Sequence, residues 1–573
     1  MRHGTWATLL LMSGLTVSGL GLCAQALPGK PAKVAKVAKA ATVAGLPPEK
    51  ALALGERMYR EGILPSGEPL VSALGGATAV AGTAFSCSSC HLRGGLGSSE
   101  GGLVTLPTNG FKLAQPRYWK YPNLLPEERK GLRVEAKPVR PPYTDATLAR
   151  AIRTGVDAGG RAMNPAMPKY NFKDADMAIL IHYLWSLSAK VSPGADDTTL
   201  RFATVVTEEV SAQDQEAMLV PLNNYVARHN THAGGMGNRM YMSIPGKEMA
   251  GAYRRMELSV WRLKGPADTW DQQLREHLAK EPVFALLGGL TYGEWQPIHT
   301  FCEQHRLPCL FPLTDLPVLS ESDWYTQYFS KGYYQEGQAA ARYLQAQDPV
   351  PTRVLQLVQA GPEGRALAAG FRETWQEAGQ GAVKELQLKP GETLSAASLQ
   401  AMLAQEQATV VLLWTGSDAF AALEGLAGQP GRPGQVFLSG RLLGAKVFEQ
   451  PESIRAFTWV TWPYRDPRDE PAVSRYANAL MKGLTTHRPE TRISTRTYAL
   501  LQILQLALVD MDRNLYRDNL LDRVGMQRDQ VLPDYLQLSF SAGHRYASKG
   551  CYVMQLGPGP APKLIRKSEW VIH

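Results

Sequence analysis

The stretch SCSSCHLRGG, residues 86–95, places two cysteines and a histidine in the spacing C-x-x-C-H. This spacing is typical of covalent attachment of a c-type haem, in which the thiols of Cys87 and Cys90 bond to the porphyrin and His91 reaches the iron. Zinc is the alternative, since C-x-x-C also suits zinc, but a structural zinc site needs a second ligand pair nearby. The next cysteine is Cys302. The motif therefore predicts one covalent haem.

Two helical patterns flank the motif and would have to position it. In PPEKALALGERMYREG, residues 47–62, and again in KDADMAILIHYLWSLS, residues 173–188, apolar side chains recur on one face of a helix. Gly55 in the first pattern would let another helix approach closely. The sequence thus predicts two amphipathic helices, one on each side of the motif. Their apolar faces are formed by Ala51, Leu54, Met58 and Tyr59 in the first helix and by Met177, Leu180, Ile181 and Leu184 in the second.

These segments resemble class I cytochromes c. The likeness rests on GERMY, CSSCH and MPKYNFKDADMAILIHYLWSLS and covers residues 47–190. It implies an all-α domain that carries electrons and in which the two terminal helices cross beside the haem. It also implies a methionine as the sixth iron ligand. In RAMNPAMPKYNF, the Met-Pro pattern of the family selects Met167, whereas Met163 is expected to fill the core. His182 in the last helix is expected to pack or to face solvent.

The N-terminal residues 1–26 have the pattern of a secretory signal peptide, with Arg2, an apolar stretch over 7–23 and the small-x-small sequence AQA. Cleavage is expected after Ala26, and a lipoprotein at Cys23 or an uncleaved anchor are the alternatives. No later segment is long and apolar enough to span a membrane. The mature chain is therefore expected in the periplasm, on the outer side of a bacterial inner membrane.

The formal net charge of +9 is concentrated near the N-terminus. Residues 1–50 carry +5, residues 51–190 carry +6 and residues 191–573 carry −2. The Lys/Ala-rich stretch at 27–46 is interpreted as a solvated linker, with contact to a membrane surface or an acidic partner as the alternative. No arginine-rich face interleaved with aromatic residues occurs, so a nucleic-acid partner is not expected.

After a short linker at 191–199, apolar β-type runs alternate with amphipathic helices. The first set has strands predicted at LRFATVVT, RMYMSI, MELSVWRL, VFALLGG and LPCLFP, with helices between them. A second set repeats the alternation from RVLQLVQ to GQVFLSG. Such alternation predicts parallel sheets covered by helices. The fold class expected for residues 200–573 is therefore a two-lobed α/β domain with a cleft between the lobes.

This second part resembles type 1 periplasmic binding proteins, the family of the branched-chain amino-acid receptors. The likeness rests on FALLGGLTYGEWQPIHTFCEQHRLPCLFPLTDLP, YFSKGYYQEGQAAARYL, GRALAAGFRETWQEAG and FSAGHRYASKGCYVMQL, in that order. It implies a receptor for a small molecule, bound between the two lobes.

The resemblance also implies where a ligand would lie, because that family holds its ligand with loops at the carboxyl ends of strands. The matching residues are Thr291 with Tyr292 in one loop and Thr314 with Asp315 in the next, where hydroxyls and an ammonium-binding carboxylate would be offered. Helix capping is the alternative for each. In the second lobe Glu363 stands near the position of an aromatic residue in the amino-acid receptors, which argues against an amino-acid ligand.

Three aromatic residues near strand ends could line the same cleft or pack in the core: Trp414, Trp462 and Tyr464. The sequence contains no G-x-S-x-G, no P-loop and no metal-spaced histidines, so an enzyme is not expected. Cys302 and Cys309, near a predicted helix end and the following strand, could form a disulfide in an exported protein.

Together these patterns predict a periplasmic cytochrome fused to a receptor-like module, with a redox partner protein and a small-molecule ligand. Two alternatives stay open. One is the solute-binding component of an ABC transporter with an accessory haem. The other is the cytochrome subunit of a periplasmic dehydrogenase, in which the receptor half serves as a docking scaffold.

Overall fold

A computed structural model describes residues 42–74, 78–100, 103–118, 138–233, 254–465, 475–484, 491–511, 513–540 and 545–572. The expected signal peptide (1–26), most of the linker at 27–46 and the strand predicted at RMYMSI lie outside these residues. None of the helices in the described ranges has both the length and the apolar character that a membrane crossing requires.

Residues 47–190 form the N-terminal domain, which consists of helices and short strands. Its helices are α1 (Pro48–Glu61), α2 (Cys87–His91), α3 (Gly110–Leu113), α4 (Asp145–Thr154) and α5 (Asp174–Ser186). Its strands are β1 (Val71–Leu74), β2 (Thr78–Ala81), β3 (Ser99–Glu100), β4 (Leu103–Val104), β5 (Arg117–Tyr118), β6 (Pro138–Arg140) and β7 (Lys169–Tyr170). An antiparallel sheet of order β2-β1-β7 accompanies the helices, so the domain is mainly helical but not purely so.

Helices α1 and α5 cross in close backbone contact. A Cβ atom on Gly55 would lie 2.5 Å from the Cβ of Tyr183 and 2.7 Å from the carbonyl oxygen of Ile179. Only glycine leaves room for this crossing. Tyr59 packs its ring 5.5 Å from that of Tyr183 at the same place. The predicted pair of crossing helices, and the reason for Gly55, are confirmed.

The rest of the chain forms two lobes, each around a sheet. Lobe 1 has a parallel sheet of order β12-β11-β10-β8-β9. Its strands are β8 (Thr199–Thr207), β9 (Arg255–Leu263), β10 (Ala285–Leu287), β11 (Cys309–Leu310) and β12 (Thr326–Gln327). The helices that follow strands within it are α6 (Ala212–Ala233), α7 (Trp270–Lys280) and α8 (Gln296–Gln304).

Lobe 2 contains the second predicted set. Strands β13 (Val354–Val358), β14 (Lys384–Gln387), β15 (Val410–Trp414), β16 (Gln435–Ser439) and β17 (Thr458–Trp462) are parallel, in the order β14-β13-β15-β16-β17. The antiparallel strands β20 (Gly550–Leu556), β21 (Leu564–Arg566) and β22 (Val571–Ile572) complete its sheet. Its helices are α9 (Tyr333–Gln345), α10 (Pro362–Glu377), α11 (Ala396–Glu406), α12 (Phe420–Leu426), α13 (Gly440–Leu443) and α14 (Glu452–Arg455).

The chain returns to lobe 1 after β17. The returning elements are the helices α15 (Arg475–Leu480), α16 (Ile493–Met511) and α17 (Arg517–Gly525) and the hairpin of β18 (Gln530–Leu532) and β19 (Tyr535–Leu538). Leu500 of α16 shares one buried core with Phe202 of β8 and Met218 of α6. The lobes are therefore joined by several chain passages, the arrangement in which a hinge motion is expected.

Helix α17 is also the surface on which the N-terminal domain rests. Arg60 of α1 forms an ion pair with Asp518 of α17 at 2.6 Å. The short linker is fixed beside it, because the amide of Ser192 donates to the carbonyl of Leu515 at 3.1 Å and its hydroxyl accepts from the amide of Arg517 at 3.0 Å. The N-terminal domain and lobe 1 are thus in direct contact, and the linker at 191–199 is not a free tether.

Candidate functional site

The C-x-x-C-H motif forms one short helix, α2, that begins at Cys87 and ends at His91. Both cysteines are free thiols and half-buried. The hydroxyl of Thr105 donates to the carbonyl of Cys90 at 2.7 Å, so the segment after the motif folds back over the helix. Two thiols and one imidazole therefore project from a single turn of backbone that is held at its C-terminal end.

The ring of His91 is oriented by the loop that follows it. Its Nδ1 lies 2.7 Å from the carbonyl oxygen of Leu106, which accepts only if Nδ1 carries the hydrogen. Nε2 is then the nitrogen with a lone pair for a metal. Burial lowers the pKa of the His91 imidazole, against the opposing effect of the Leu106 hydrogen bond. A neutral ring with a fixed tautomer is the form that binds iron.

The loop that follows His91 turns at glycines. Gly95 and Gly97 have φ values of 72° and 74°, in the left-handed region that favours glycine. Gly97 donates its amide to the carbonyl of His91 at 3.0 Å. The loop is thereby tied to the histidine both at its backbone and at its ring.

Met167 lies in the turn just before β7. It is half-buried, and its amide donates to the carbonyl of Asn164 at 3.0 Å. Three residues later, the hydroxyl of Tyr170 donates to the carbonyl of Phe85 at 3.1 Å. Because Phe85 is two residues ahead of Cys87, the Met-Pro turn and the motif helix are joined through this bond. Met163 is half-buried as well, so the choice of Met167 stays a prediction.

These features fit a covalent haem. The thiols are unpaired, the imidazole is neutral with Nε2 available, and a methionine-bearing turn is tied to the same segment. In the described residues no group of three or more His, Cys, Asp or Glu side chains is arranged to hold a metal ion. Cys87, Cys90 and His91 would hold the porphyrin and its iron, with Met167 as the candidate for the sixth position.

The first predicted cleft loop is occupied by a carboxylate of the chain itself. Glu209 accepts hydrogen bonds from the hydroxyl of Thr207 at 2.5 Å, the hydroxyl of Thr291 at 2.8 Å and the amide of Tyr292 at 3.3 Å. Burial acts to raise the pKa of Glu209, but these donors hold it below its ordinary value. The Tyr292 hydroxyl donates to Asp214 at 2.5 Å. The groups of Thr291 and Tyr292 that were predicted to donate to a ligand therefore already donate to Glu209 and Asp214.

The second predicted loop is also engaged within the chain. The carboxylate of Asp315 forms ion pairs with Arg441 of lobe 2 and, at 3.3 Å, with Arg496 of α16. These guanidinium groups hold the pKa of Asp315 below its ordinary value in spite of its burial. The Thr314 hydroxyl accepts from the amide of Leu316 at 3.0 Å within the loop, and it caps no helix, since the described residues 311–330 contain none. Asp315 thus bridges the two lobes through arginines.

The remaining cleft candidates lie in different settings. Glu363 is in the first turn of α10. Trp414 is fully buried and donates to Gln356 at 2.8 Å, which is the packing alternative. Tyr464 is covered by Arg492, whose guanidinium carbon lies 4.1 Å from the ring centroid. Trp462 packs on Tyr464 edge to face at 5.6 Å.

Three acidic residues that the sequence analysis passed over are central to these contacts. Glu336 of α9 is fully buried and accepts from Ser439 at 2.8 Å and from Thr461 at 2.7 Å. Asp518 and Asp522 of α17 contact the N-terminal domain. The only sequence signal for Glu336 is its position in the alanine-rich run YYQEGQAAARYL, which is mostly buried. Asp518 and Asp522 stand in a charged helix and have no such signal.

Cys302 lies in α8 and Cys309 in β11, as predicted, and both are buried free thiols in the same core cluster. Burial, and next the nearby side chain of Cys309, raise the pKa of the Cys302 thiol well above its ordinary value. The pair is thus close enough to interact, and the disulfide stays a prediction.

Comparison with known families matches both parts of the chain. A family model described as cytochrome c matches residues 76–188, and one described as periplasmic binding protein matches residues 255–556. No curated protein matches the chain. The two matches confirm the predicted order of an N-terminal cytochrome-like part and a receptor-like part.

Among solved structures, the chain is similar to a fatty acid ABC transporter substrate-binding protein from Thermomonospora curvata. Their identity is 16%, over 67% of this chain and 95% of that chain, with a TM-score of 0.43. It is also similar to a putative branched-chain amino acid ABC transporter from Rhodospirillum rubrum, at 14% identity over 66% and 100% of the two chains and a TM-score of 0.47.

Proposed function

The chain belongs to the periplasmic binding protein family and has a cytochrome c region ahead of that match, and on this premise we propose that it is an exported one-electron carrier fused to a receptor-like module. The cytochrome c match implies covalently bound haem c, and the single C-x-x-C-H motif makes the number one per chain. Both families are typically found outside the cytoplasm, which supports export.

The observation that carries the proposal is the setting of His91. A bound haem supplies a centre that gains or loses one electron without a change in the protein's covalent structure. His91 is held by the Leu106 carbonyl in the tautomer that leaves Nε2 for the iron. The proposal assigns no catalytic residue, and the chain's own side chains only bind, orient and shield the group.

The test is the covalent haem content of protein exported by a host with a c-type haem maturation system. Intact mass should exceed that of the polypeptide by one haem, and the double variant Cys87→Ala/Cys90→Ala should lose this increment. A matched control, Cys302→Ala/Cys309→Ala, should keep it. An increment of zero or of two haems in the wild-type protein would refute the proposal.

The sixth ligand is tested separately. We propose Met167, because its turn is tied to the segment ahead of Cys87. The thioether-to-iron charge-transfer band of the oxidised protein should vanish in Met167→Ala and remain in Met163→Ala. The opposite pattern would assign the ligand to Met163.

Of the alternatives, a docking scaffold for a redox partner is favoured over solute transport by one observation. Thr291 and Asp315 in the two loops expected to hold a ligand already bind Glu209 and two arginines of the same chain. A thermal-shift screen with amino acids and aromatic acids tests this point, since a ligand that binds only the folded state raises the unfolding temperature. A saturable rise with any one of them would favour the solute-binding alternative.

A further inference from the structure

The loop that follows the haem-binding motif is held by a carboxylate from the other half of the molecule. Asp522 of α17 accepts the amide of Gly94 at 2.7 Å and the amide of Arg93 at 3.2 Å. Asp522 is 5% exposed. A buried carboxylate bound to two backbone amides is a strong and directional contact. The two amides come two and three residues after His91.

This loop cannot shift independently of His91. Gly97 donates its amide to the carbonyl of His91 at 3.0 Å, and Gly95 donates to the carbonyl of Leu92 at 3.2 Å. The hydroxyl of Tyr59, from the core of the N-terminal domain, donates to the same Leu92 carbonyl at 2.7 Å. A displacement at Gly94 is therefore passed along a short, hydrogen-bonded segment to the backbone of the iron ligand.

The contact is also closely packed. A Cβ atom on Gly94 would lie 3.1 Å from an Asp522 carboxylate oxygen and 3.2 Å from the amide nitrogen of Asn519. One turn earlier on α17, Asp518 accepts from Arg60 at 2.6 Å and from the Tyr325 hydroxyl at 2.9 Å. Helix α17 is thus fixed against the N-terminal domain at Asp518, and Asp522 reaches the loop from that fixed position.

We propose that Asp522 is a positioning residue for the haem: from lobe 1 it fixes the loop that orients His91 and places a negative charge near the group. The inference rests on the proposed function, since it presumes haem on Cys87 and Cys90. Hydrogen bonds around a ligand and buried charge are two of the means by which a protein sets a haem potential. A carboxylate favours the oxidised, more positive form, so its removal should raise the midpoint potential.

The test is a redox titration of full-length holoprotein with Asp522→Asn, a nearly isosteric change that removes the charge and one of the two acceptors. The midpoint should rise by an amount equal to a threefold to tenfold change in the oxidised-to-reduced ratio, or roughly 30–60 mV at 59 mV per tenfold for one electron. The matched control is Asp510→Asn on the exposed side of α16, which should leave the midpoint unchanged.

The titration is made at about pH 8.5, where the carboxyl is ionised. Burial raises the pKa of Asp522 to about 7, and nearby Asp518 acts in the same direction, while the amides of Gly94 and Arg93 and the charge of Arg523 oppose this. Asp522→Glu keeps the charge and should recover part of the wild-type midpoint. A purely structural role would not be restored by the longer acid.

Two further measurements keep the proposal testable if Asp522→Asn fails to fold. Gly94→Ala keeps the carboxylate but pushes the loop away from α17, and should also raise the midpoint, by less than Asp522→Asn. In the wild-type holoprotein, hydrogen exchange at the Arg93 and Gly94 amides should be slow and should become fast in Asp518→Asn, which loosens α17.

The outcomes separate the two proposals. A wild-type chain without covalent haem refutes the proposed function and leaves no group for Asp522 to position. One haem per chain, with equal midpoints in the wild type, Asp522→Asn and Gly94→Ala, keeps the electron carrier and overturns the positioning role. Fast exchange of both amides in the wild type would overturn it as well.

Discussion

Lobe 1 meets its neighbours with acidic side chains on two faces, and the two faces differ in what the carboxylates bind. Toward the N-terminal domain, Asp522 accepts backbone amides of a loop. Toward lobe 2, Asp315 binds the guanidinium group of Arg441, and Arg496 of lobe 1's own helix α16 pairs with the same carboxylate. The first contact therefore holds a backbone loop, whereas the second is made between side chains alone. Both contacts are buried, so they differ in what they hold in place.

The strongest test of the difference between the two faces is a substitution of Arg441, whose side chain is 1% exposed. Arg441→Met leaves Asp315 and Glu336 without their shared cation, and removal of one partner from a buried ion pair costs about 3–5 kcal/mol. Urea unfolding of the receptor half should show a loss of this size. Arg372→Met, which removes an exposed pair with Glu385, should cost at most about 1 kcal/mol. Equal losses of unfolding free energy in the two variants would show that burial does not decide how much an ion pair contributes here.

The next effect is a pH dependence of stability at the inter-lobe face. Burial raises the pKa of Glu336 to about 7, although Arg441, Thr461 and Ser439 oppose the shift. Because the folded-state pKa lies above the ordinary value of 4.5, the stabilisation is complete below about pH 4.5 and is lost as the pH rises through about 7, roughly 3 kcal/mol in all. Other titratable groups that face Glu336 are Asp315, Tyr333 and Cys551.

This pH dependence is measured from unfolding free energies between about pH 5 and pH 8. Glu336→Gln should flatten the fall in stability. Burial also raises the pKa of Asp522 to about 7, so Asp522→Asn should remove a further part of the fall. If only Asp522→Asn flattened the fall, the pH-sensitive face would be the one toward the N-terminal domain. If neither substitution changed the fall in unfolding free energy, neither face would be its source.

A smaller effect is expected where α1 meets α17. Arg60→Met removes the cation that binds Asp518 at 2.6 Å and Glu56 at 2.8 Å, on a side chain that is 9% exposed. Hydrogen bonds to charged groups contribute about 1.5–3 kcal/mol. The N-terminal domain should then unfold at a lower temperature than lobe 1, as a separate calorimetric transition. A single transition at the wild-type temperature would show that this pair does not hold the domain.

The smallest effect on stability is expected at the first predicted cleft loop, which contains Thr291. Thr291→Val removes one of the donors to Glu209, a largely exposed carboxylate, and should cost about 0.5–1.5 kcal/mol. The free energy of unfolding of Thr291→Val is measured by chemical denaturation. It is compared with that of Thr300→Val, which removes only a surface hydrogen bond to Gln296. A loss of unfolding free energy larger than that of Arg60→Met would show that the Thr291 loop contributes more to stability than the contact between α1 and α17.

The parts of the molecule that the sequence predicted are those in which the cause is local. The spacing of Cys87, Cys90 and His91 is contained in five residues, and the cytochrome c match covers it. The period of the apolar residues predicted α1, α5 and the alternating strands and helices. Gly55 could be interpreted because a glycine within an apolar helix face implies a close neighbour. Each of these inferences needed only a few turns of chain.

The acidic residues could not be found in the same way. Asp522 contacts Gly94 across 428 positions, and Asp315 contacts Arg441 across 126. A single sequence carries no periodicity or spacing that joins such distant residues. The predicted cleft contacts illustrate the same limit, since Thr291 and Asp315 were placed near strand ends but their intramolecular partners arise only from the folded arrangement of α13, α16 and the loop after β8.

The return of the chain to lobe 1 has a consequence for the order of assembly. A polypeptide is made and exported from its N-terminus, and domains generally fold as they emerge. The N-terminal domain is complete at residue 190, but the helix on which it rests begins at Arg517. If the chain carries the proposed haem, the motif cysteines would be accessible for its attachment before α17 has been made. A chain truncated ahead of α17 should then keep its haem, but its haem loop would lack the contact with Asp522 and its midpoint potential should change.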